Sequence, residues 1–461
     1  MARYQRALFL FRRDFRLEDN TALNAAFKDA EEVVCAFILD ERQVSKQNPY
    51  AGEHLLQFMA ESLMEVDAEL QLKKGRLHVW NGIAEAIIPR LAREASCQAV
   101  YVNRDYTPFA QMRDEAIMQA CTAVGVVMHT YDDALLVAPG KVLTQKIEPY
   151  SVFTPFYRAA RTGMVPHPET AEGKYAALPS GADGGEALLA PFLRNKILAA
   201  RGGRAAVRAV LDDVGRHTHY SYERDMVAHA GTTLLSPYLK HGCVSVREAY
   251  WAMREQLPHT YEPLTRQLYW RDFFTHLVFF HPEVLGKAFK PQYDRVRWDE
   301  PGENFERWKK GETGFPIVDA GMRQLNESGW MHNRARMITA SFLVKDLHID
   351  WREGERYFAT KLIDYDPAVN NGSWQWVAGT GADAAPYFRI FNPWLQQKKF
   401  DPDALYIKRW VPELESVPIS DIHTWDKKAG GLFEAALYPA PMLDHREEAE
   451  EAKRRFGKAL K

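Results

Sequence analysis

Along the first 132 residues, short continuous apolar runs alternate with segments whose apolar positions recur at helical spacing. ALFLF (7–11), VVCAFIL (33–39), LHVW (77–80), AVYV (99–102) and VVMHTY (126–131) predict strands. Unbroken apolarity, rather than in–out alternation, marks strands covered on both faces. Residues 20–27, 54–72, 83–94 and 108–124 predict the covering helices. The alternation implies an α/β domain with a five-stranded parallel, Rossmann-like sheet. Ligands of such sheets sit beyond the carboxyl ends of the strands, yet no G-x-G-x-x-G or P-loop follows any of these runs. On pattern alone this half reads as scaffold.

The pattern loosens between residues 138 and 204. Pro149, Pro155, Pro166, Pro168, Pro179, the polar run 180–185 and Pro191 mark a connector. Beyond Gly203 the spacing turns helical and stays so, over 204–214, 237–241, 246–256, 263–280, 316–327, 332–347 and 353–363. The expected organisation is an α/β domain at 1–132, a linker at 133–203 and an all-α domain at 204–461, without internal repeats.

Composition narrows the function. With 461 residues, 46% hydrophobic and 26% charged, the chain has ample material for a globular core. No apolar run approaches a membrane span, and the opening MARYQRALFLFRRDF has too short an apolar stretch for a signal peptide. Cys35, Cys97, Cys121 and Cys243 lie too far apart for a disulfide framework, zinc site or iron–sulfur cluster, and they suit a reducing cytoplasm. The net charge of −2 excludes a globally basic nucleic-acid binder but not a basic face. Of twelve tryptophans, all but Trp80 fall at or after Trp251.

Chemistry can gather in four segments. In GTTLLSP (231–237), hydroxyls and amides cluster at a helix start with Pro237 in its first turn, which suits either phosphate binding or a plain cap by Ser236. Gln267, Trp270, Arg271 and Phe274 share a helix face, either as a polar site or as an interface stripe with a snorkelling arginine. In GWMHNRARMITASFLVKDLHIDW (329–351), Asn333, Arg336 and Met337 lie on one side of a turn while Arg334 projects elsewhere. That grouping can read phosphates or a base edge against a flat ligand. In LIDYDPAVNNGSWQWVAGTGADAAPYFRIFNP (362–393), Asp364 and Asp366 lack the third ligand type a metal needs, so no metal is expected. They can instead accept hydrogen bonds from a ligand ribose or ring N–H, with Arg336 as counter-charge. Hydrolytic motifs are absent, and the aromatic- and amide-rich inventory suits a large planar cofactor and stacked bases.

Together with FRRDFRLEDN (11–20), these segments resemble the DNA photolyase/cryptochrome family over nearly the whole chain. GFPIVDAGMRQL, GWMHNRARMITASFLVKDLHIDW, NNGSWQW and DAAPYFRIFNP look most like a class I cyclobutane pyrimidine dimer photolyase. The resemblance implies an N-terminal antenna-chromophore domain and a helical FAD domain. It places Tyr220, Thr232, Thr233, Leu234, Leu235, Ser236, Gln267, Arg271, Asn333, Arg336, Asp364, Tyr365, Asp366 and Asn370 around FAD, with Asn370 beside flavin N5. Trp374, Trp351 and Trp298 match the family's electron-carrying indoles. Lesion and DNA contacts would come from Arg224, Trp270, Asn333, Arg334, Met337, Trp376, Arg389 and Gln396. Lys398, Lys399, Lys408 and Arg409 would add phosphate-binding charge. The implied enzyme is a carbon–carbon lyase: light-excited reduced FAD (FADH−) lends an electron to a flipped-out dimer, the ring opens, and the electron returns. The implied setting is a cytoplasmic monomer of bacterial or archaeal type that acts on damaged DNA without an obligate protein partner or membrane.

Two positions depart from the pattern. Gln267 stands where cyclobutane-dimer enzymes usually carry glutamate; it is expected to alter efficiency and leave dimer specificity in place. The antenna segment, Asn103 to Ala110, lacks the glutamate of folate-binding relatives, so the second chromophore is 8-hydroxy-deazaflavin or methenyltetrahydrofolate, with Tyr106 and Phe109 closer to the deazaflavin type. The alternative functions are a (6-4) photolyase or a cryptochrome-type photoreceptor. The first is opposed by His332-Asn333 and Met337, the second by the short charged tail 447–461. A flavin redox enzyme is opposed by the lack of a nicotinamide fingerprint.

Overall fold

The structure is a computed structural model that describes residues 2–179, 184–194, 196–428 and 438–461. Residues 180–183 of the polar run expected in the connector lie outside the described residues. The chain divides into two compact units, one of residues 1–196, 200–218 and 233–282, the other of 197–199, 219–232 and 283–461. The sequence-based division at 132 and 203 follows the change from strands to helices; the compact units are divided elsewhere, and the helices within residues 204–212 and 236–280 fall in the same unit as the sheet.

In the first unit, β1 (Tyr4–Phe11), β2 (Ala30–Leu39), β3 (Leu77–Asn81), β4 (Ala99–Asn103) and β5 (Val127–Tyr131) form a parallel sheet of order β3-β2-β1-β4-β5. Leu8 pairs with Val34 on one side and with Val100 on the other. Successive residues point to opposite faces, so Leu8, Leu10, Val34, Ala36, Ile38, Val100 and Val102 meet Ile87, Ile88, Leu91 and Ile117 of the Ala84–Glu94 and Pro108–Thr122 helices. Ala7, Phe9, Phe11, Val33, Cys35 and Phe37, on the alternate positions, are equally buried, which explains the continuous apolar runs. All four cysteines are buried free thiols.

The expected linker is more ordered than its prolines suggest. It carries a helix, Phe153–Ala160, and a two-residue strand, β6 (Tyr175–Ala176), that pairs with β2 as a sixth strand. The aromatic face of that helix is buried through Phe153, Phe156 and Tyr157, so burial overrides the turn signals on either side.

FRRDFRLEDN forms a buried polar knot beyond the end of β1. Arg16, 1% exposed, bonds Asp133 at 2.6 Å, and Arg247 reaches Asp133 at 2.8 Å and Asp19 at 2.9 Å. Burial opposes ionisation of Asp133, but the two guanidinia override it and hold the carboxyl below its ordinary range. Charges this deep persist only when paired. The knot ties the β1 loop to the Val246–Gln256 helix, whose capping box joins Ser245 and Glu248.

The second unit is helical. Trp308, Phe315, Met322, Leu325, Phe342, Leu343, Trp351, Phe358, Trp374 and Trp425 share one core, so much of the tryptophan excess is structural. The helix expected at 332–347 is two elements: Asn333–Ser341 is α-helical, and Phe342–Asp346 widens into a π turn closed by the Leu347 N–H on the Phe342 carbonyl at 3.0 Å. His348 then adopts φ 54° and ends the run. Lys345 in this turn is fully buried, which lowers its pKa well below the ordinary lysine value, and its Nζ donates to the Ala378 carbonyl at 2.8 Å. No described helix is long and apolar enough to cross a membrane.

Candidate functional site

Two groups of the expected site residues lie in the first unit. The Ser236–His241 helix is entered from Leu235 without a side-chain cap, so Ser236 is its first residue and not the cap considered from sequence. Leu234 takes φ 53°, and Thr233 Oγ1 accepts from Leu235 N–H at 3.4 Å. This shapes Thr233, Leu234 and Leu235 into a turn before Pro237. On the Glu262–Phe280 helix, Gln267 is half-buried and donates its amide N–H to the Pro263 carbonyl at 3.0 Å. Arg271 donates to the carbonyls of Ala134 and Leu239. It does not snorkel: one guanidinium satisfies two chain segments. Trp270 lies flat on Phe153, with ring centroids 3.6 Å apart and planes within 9°. One indole face is therefore covered, since Phe153 is itself 1% exposed and wedged against Phe273.

The remaining expected residues lie in the second unit. Tyr220 is buried, with the Arg224 guanidinium 5.6 Å from its ring centre, and Thr232 is half-buried. At the Asn333–Ser341 helix, Asn333 is exposed and its amide lies 3.6 Å from Met337 Sδ, so the two share a side as the spacing predicts. Arg336 donates Nε to the Met331 carbonyl at 2.8 Å and Nη2 to Asp364 at 2.9 Å, which realises the expected counter-charge. Arg334 does project elsewhere. It bonds Asp225 at 2.8 Å and lies 4.2 Å from the centre of the Phe400 ring.

Asp366 has a role the sequence reading did not assign to it. Its carboxylate caps the Pro367–Ala378 helix, accepting from Ala368 N–H at 3.0 Å and Val369 N–H at 3.2 Å. Tyr365, next to it, is half-buried against the core. One turn into the helix, Asn370 donates to the Glu355 main-chain oxygen at 3.0 Å and to its carboxyl at 2.9 Å. A carbonyl only accepts, so this bond fixes which end of the amide faces Glu355. Burial pushes Glu355 up to about 7, opposed by the bond from Asn370.

Trp374 and Trp351 are 3% and 1% exposed, while Trp298 is half-buried beside Phe456 at 5.7 Å. Of the three, Trp298 alone is more than slightly exposed. Trp374 and Trp376, two residues apart, differ as expected: the first is core and the second half-buried. Arg389 is exposed beside Phe388, and Gln396 is half-buried with Oε1 lacking a partner among the described residues. Lys398 and Lys399 are exposed.

Sequence reasoning missed Glu355, Phe153, Asp225 and Gly354. Glu355 sits among other acidic residues with nothing to mark it, and Phe153 lies in the apparent linker. Gly354 gives space: a Cβ there would fall against the Trp374 ring and Leu343.

A flavin dinucleotide fits this donor set. The Asn370 amide nitrogen is committed to Glu355, with no bond to its oxygen seen among the described residues, and Gln396 holds a buried acceptor with no partner among the described residues. Comparison with known proteins agrees. Residues 7–172 match the DNA photolyase family model, and residues 264–458 match the FAD binding domain of DNA photolyase. The deoxyribodipyrimidine photo-lyase of Vibrio cholerae is 40% identical, covering 96% of this chain and 97% of its own. An archaeal photolyase from Sulfolobus tokodaii, solved with two FAD molecules, superposes with a TM-score of 0.88 at 43% identity, over 98% of this chain and 100% of its own. A cryptochrome from Synechocystis reaches a TM-score of 0.87 at 27% identity, over 98% of this chain and 100% of its own. With a relative this similar along almost its entire length, the chain belongs to the DNA photolyase family.

Proposed function

We propose that this chain is a deoxyribodipyrimidine photo-lyase that repairs cyclobutane pyrimidine dimers in DNA under blue light. The observation that carries the reading is 40% identity to a deoxyribodipyrimidine photo-lyase across nearly both whole chains. Bound FAD, in its two-electron-reduced form, supplies the light-excited electron that opens the cyclobutane ring and takes it back, so the reaction is a lyase step without net redox change.

This chain's residues do the rest. Asn370, held by Glu355, presents an acceptor oxygen to the flavin ring N–H. Arg336 and Asp364 form a neutral pair whose remaining polar atoms suit the cofactor's polar edge. Tyr220, Thr232 to Ser236, Gln267, Arg271, Asn333, Tyr365 and Asp366 complete the binding set. Gln267 donates one amide hydrogen to Pro263 and keeps an acceptor oxygen, which suits a thymine N3–H. Trp270 and Trp376 wall the flipped dimer, with Asn333, Met337 and Gln396 at its edges. Arg224, Arg334, Arg389 and the lysines at 398 and 399 meet phosphates. Trp374, Trp351 and Trp298 are the readily oxidised indoles that would relay charge between the surface and the cofactor site.

Residues 1–132 serve the antenna. Asn103 commits its amide to Asp14 at 2.6 Å and Asn20 at 2.8 Å and its oxygen to Ala22 N–H, and Ala110 is buried. Neither is available to a pterin, which favours 8-hydroxy-deazaflavin over methenyltetrahydrofolate. The protein acts as a cytoplasmic monomer without an obligate partner. (6-4) repair and photoreception are not favoured; the similarity to the cryptochrome is 27%, against 40% for the photo-lyase.

Blue-light repair of a thymine-dimer oligonucleotide by the purified, reduced protein tests the proposal. Restored thymines are expected. Intact dimers alongside split (6-4) products, or a polypeptide that takes up no FAD, would overturn it.

A further inference from the structure

Among the described residues, Arg334 is the one arginine of the expected DNA-contacting set with a carboxylate partner. Its Nη2 bonds Asp225 at 2.8 Å, its guanidinium lies 4.2 Å from the centre of the Phe400 ring, and its Nε is buried with no partner among the described residues. Two residues on from Asp225, Val227 N–H donates to the Phe400 carbonyl at 3.1 Å, which ties this loop to the end of the Pro393–Phe400 helix. The same ring has Lys399 Nζ at 5.2 Å. His332 adds no charge: burial lowers it to about 4, and its Nδ1 accepts from Arg334 N–H. The loop, the Asn333–Ser341 helix and the Pro393–Phe400 helix thus build a small basic assembly around one anion.

From this geometry we propose that Asp225 is a built-in substitute for a DNA phosphate. In the free protein it occupies the anion position on Arg334 that a backbone phosphate takes in the complex, and it thereby restrains binding to undamaged duplex. The inference rests on the DNA-repair reading and adds a residue that sets discrimination. A carboxylate and a phosphate oxygen accept the same charge-assisted bond from a guanidinium. With the carboxylate present, Arg334 contributes little net charge to long-range attraction. A duplex must then displace Asp225, which an undamaged site repays poorly and a bound dimer repays through its other contacts. Phe400 keeps the guanidinium in place when the carboxylate is absent, so Asp225 acts as a positioning residue and competitor, not as a catalytic one.

The test uses the full-length flavoprotein and two duplexes that differ only in one thymine dimer, with affinities measured across a salt series. Asp225→Asn keeps the shape and removes the charge. It should bind undamaged duplex several-fold more tightly at low salt, steepen the log K against log salt slope by about 0.9, as for one further phosphate contact, and lower the damaged-to-undamaged affinity ratio. Arg334→Ala should weaken binding and flatten the slope, and the double variant should match Arg334→Ala alone. Asp225→Ala should reproduce Asp225→Asn. If Asp225→Asn instead weakens both duplexes as Arg334→Ala does, or leaves affinity and slope unchanged, the inference is overturned while the repair reading stands. If the unaltered protein shows no preference for the dimer, the repair reading itself fails, and the inference with it.

Discussion

Asn370 turns its amide nitrogen toward Glu355, reaching the main-chain oxygen at 3.0 Å and the carboxyl at 2.9 Å. The main-chain bond sets the orientation and the carboxyl reinforces it. Because Glu355 is 6% exposed and pushed up to about 7, the folded state favours its protonated form. A carboxyl raised in the fold contributes stability that is complete below the ordinary glutamate value and is lost as pH rises through about 7. Glu355→Gln should abolish this decline and exceed the unaltered protein above neutrality by about 3 kcal/mol, at about 1.4 kcal/mol per pH unit over the rise from 4.5 to about 7. Urea unfolding on both sides of neutrality checks the prediction.

Gly354 lets the Trp374 indole settle onto its helix. Gly354→Ala improves helix propensity but drives a methyl into Trp374 and Leu343, both packed in the core. Overpacking costs about 1–3 kcal/mol and should outweigh the propensity gain. A lower unfolding temperature with a changed near-ultraviolet circular dichroism band is expected; unchanged values for both would count against the contact.

The knot of Arg16, Asp133 and Arg247 stabilises the first unit only while complete. Asp133→Asn leaves two buried guanidinia without their shared anion, and a loss of about 3–5 kcal/mol is expected. Arg16→Met combined with Asp133→Leu should recover part of it, because apolar residues carry no desolvation cost. Thermal unfolding of the single and double variants measures both.

Phe153 holds the plane of Trp270 from behind. Phe153→Ala should lower affinity for a dimer-containing duplex about tenfold, equivalent to about 1.4 kcal/mol, with a smaller effect on undamaged DNA. Phe153→Tyr keeps the stack and should behave as the unaltered protein. Equal losses on both duplexes would reduce Phe153 to a core residue.

Strands were legible because a parallel sheet buries both faces: ALFLF and VVCAFIL read directly as β1 and β2. The Arg336–Asp364 pair was legible too, because motif spacing and opposite charge coincide. The Phe153–Ala160 helix was not, since Pro155 and the neighbouring loops gave turn signals that only burial of its aromatic face outweighs. Nor was the π turn at Phe342–Asp346, because a widened turn leaves the apolar pattern almost unchanged.

The sequence by itself determined the alternation of the five main strands with their helices, the helical character of the second half, and which residue types could hold a planar cofactor. These depend on local periodicity and short spacing, which a linear pattern carries. Tertiary structure alone decided that Glu355 orients Asn370, that Phe153 backs Trp270 and that Asp225 answers Arg334 across 109 positions of chain. Such pairings depend on distances set by packing, and no local spacing encodes them.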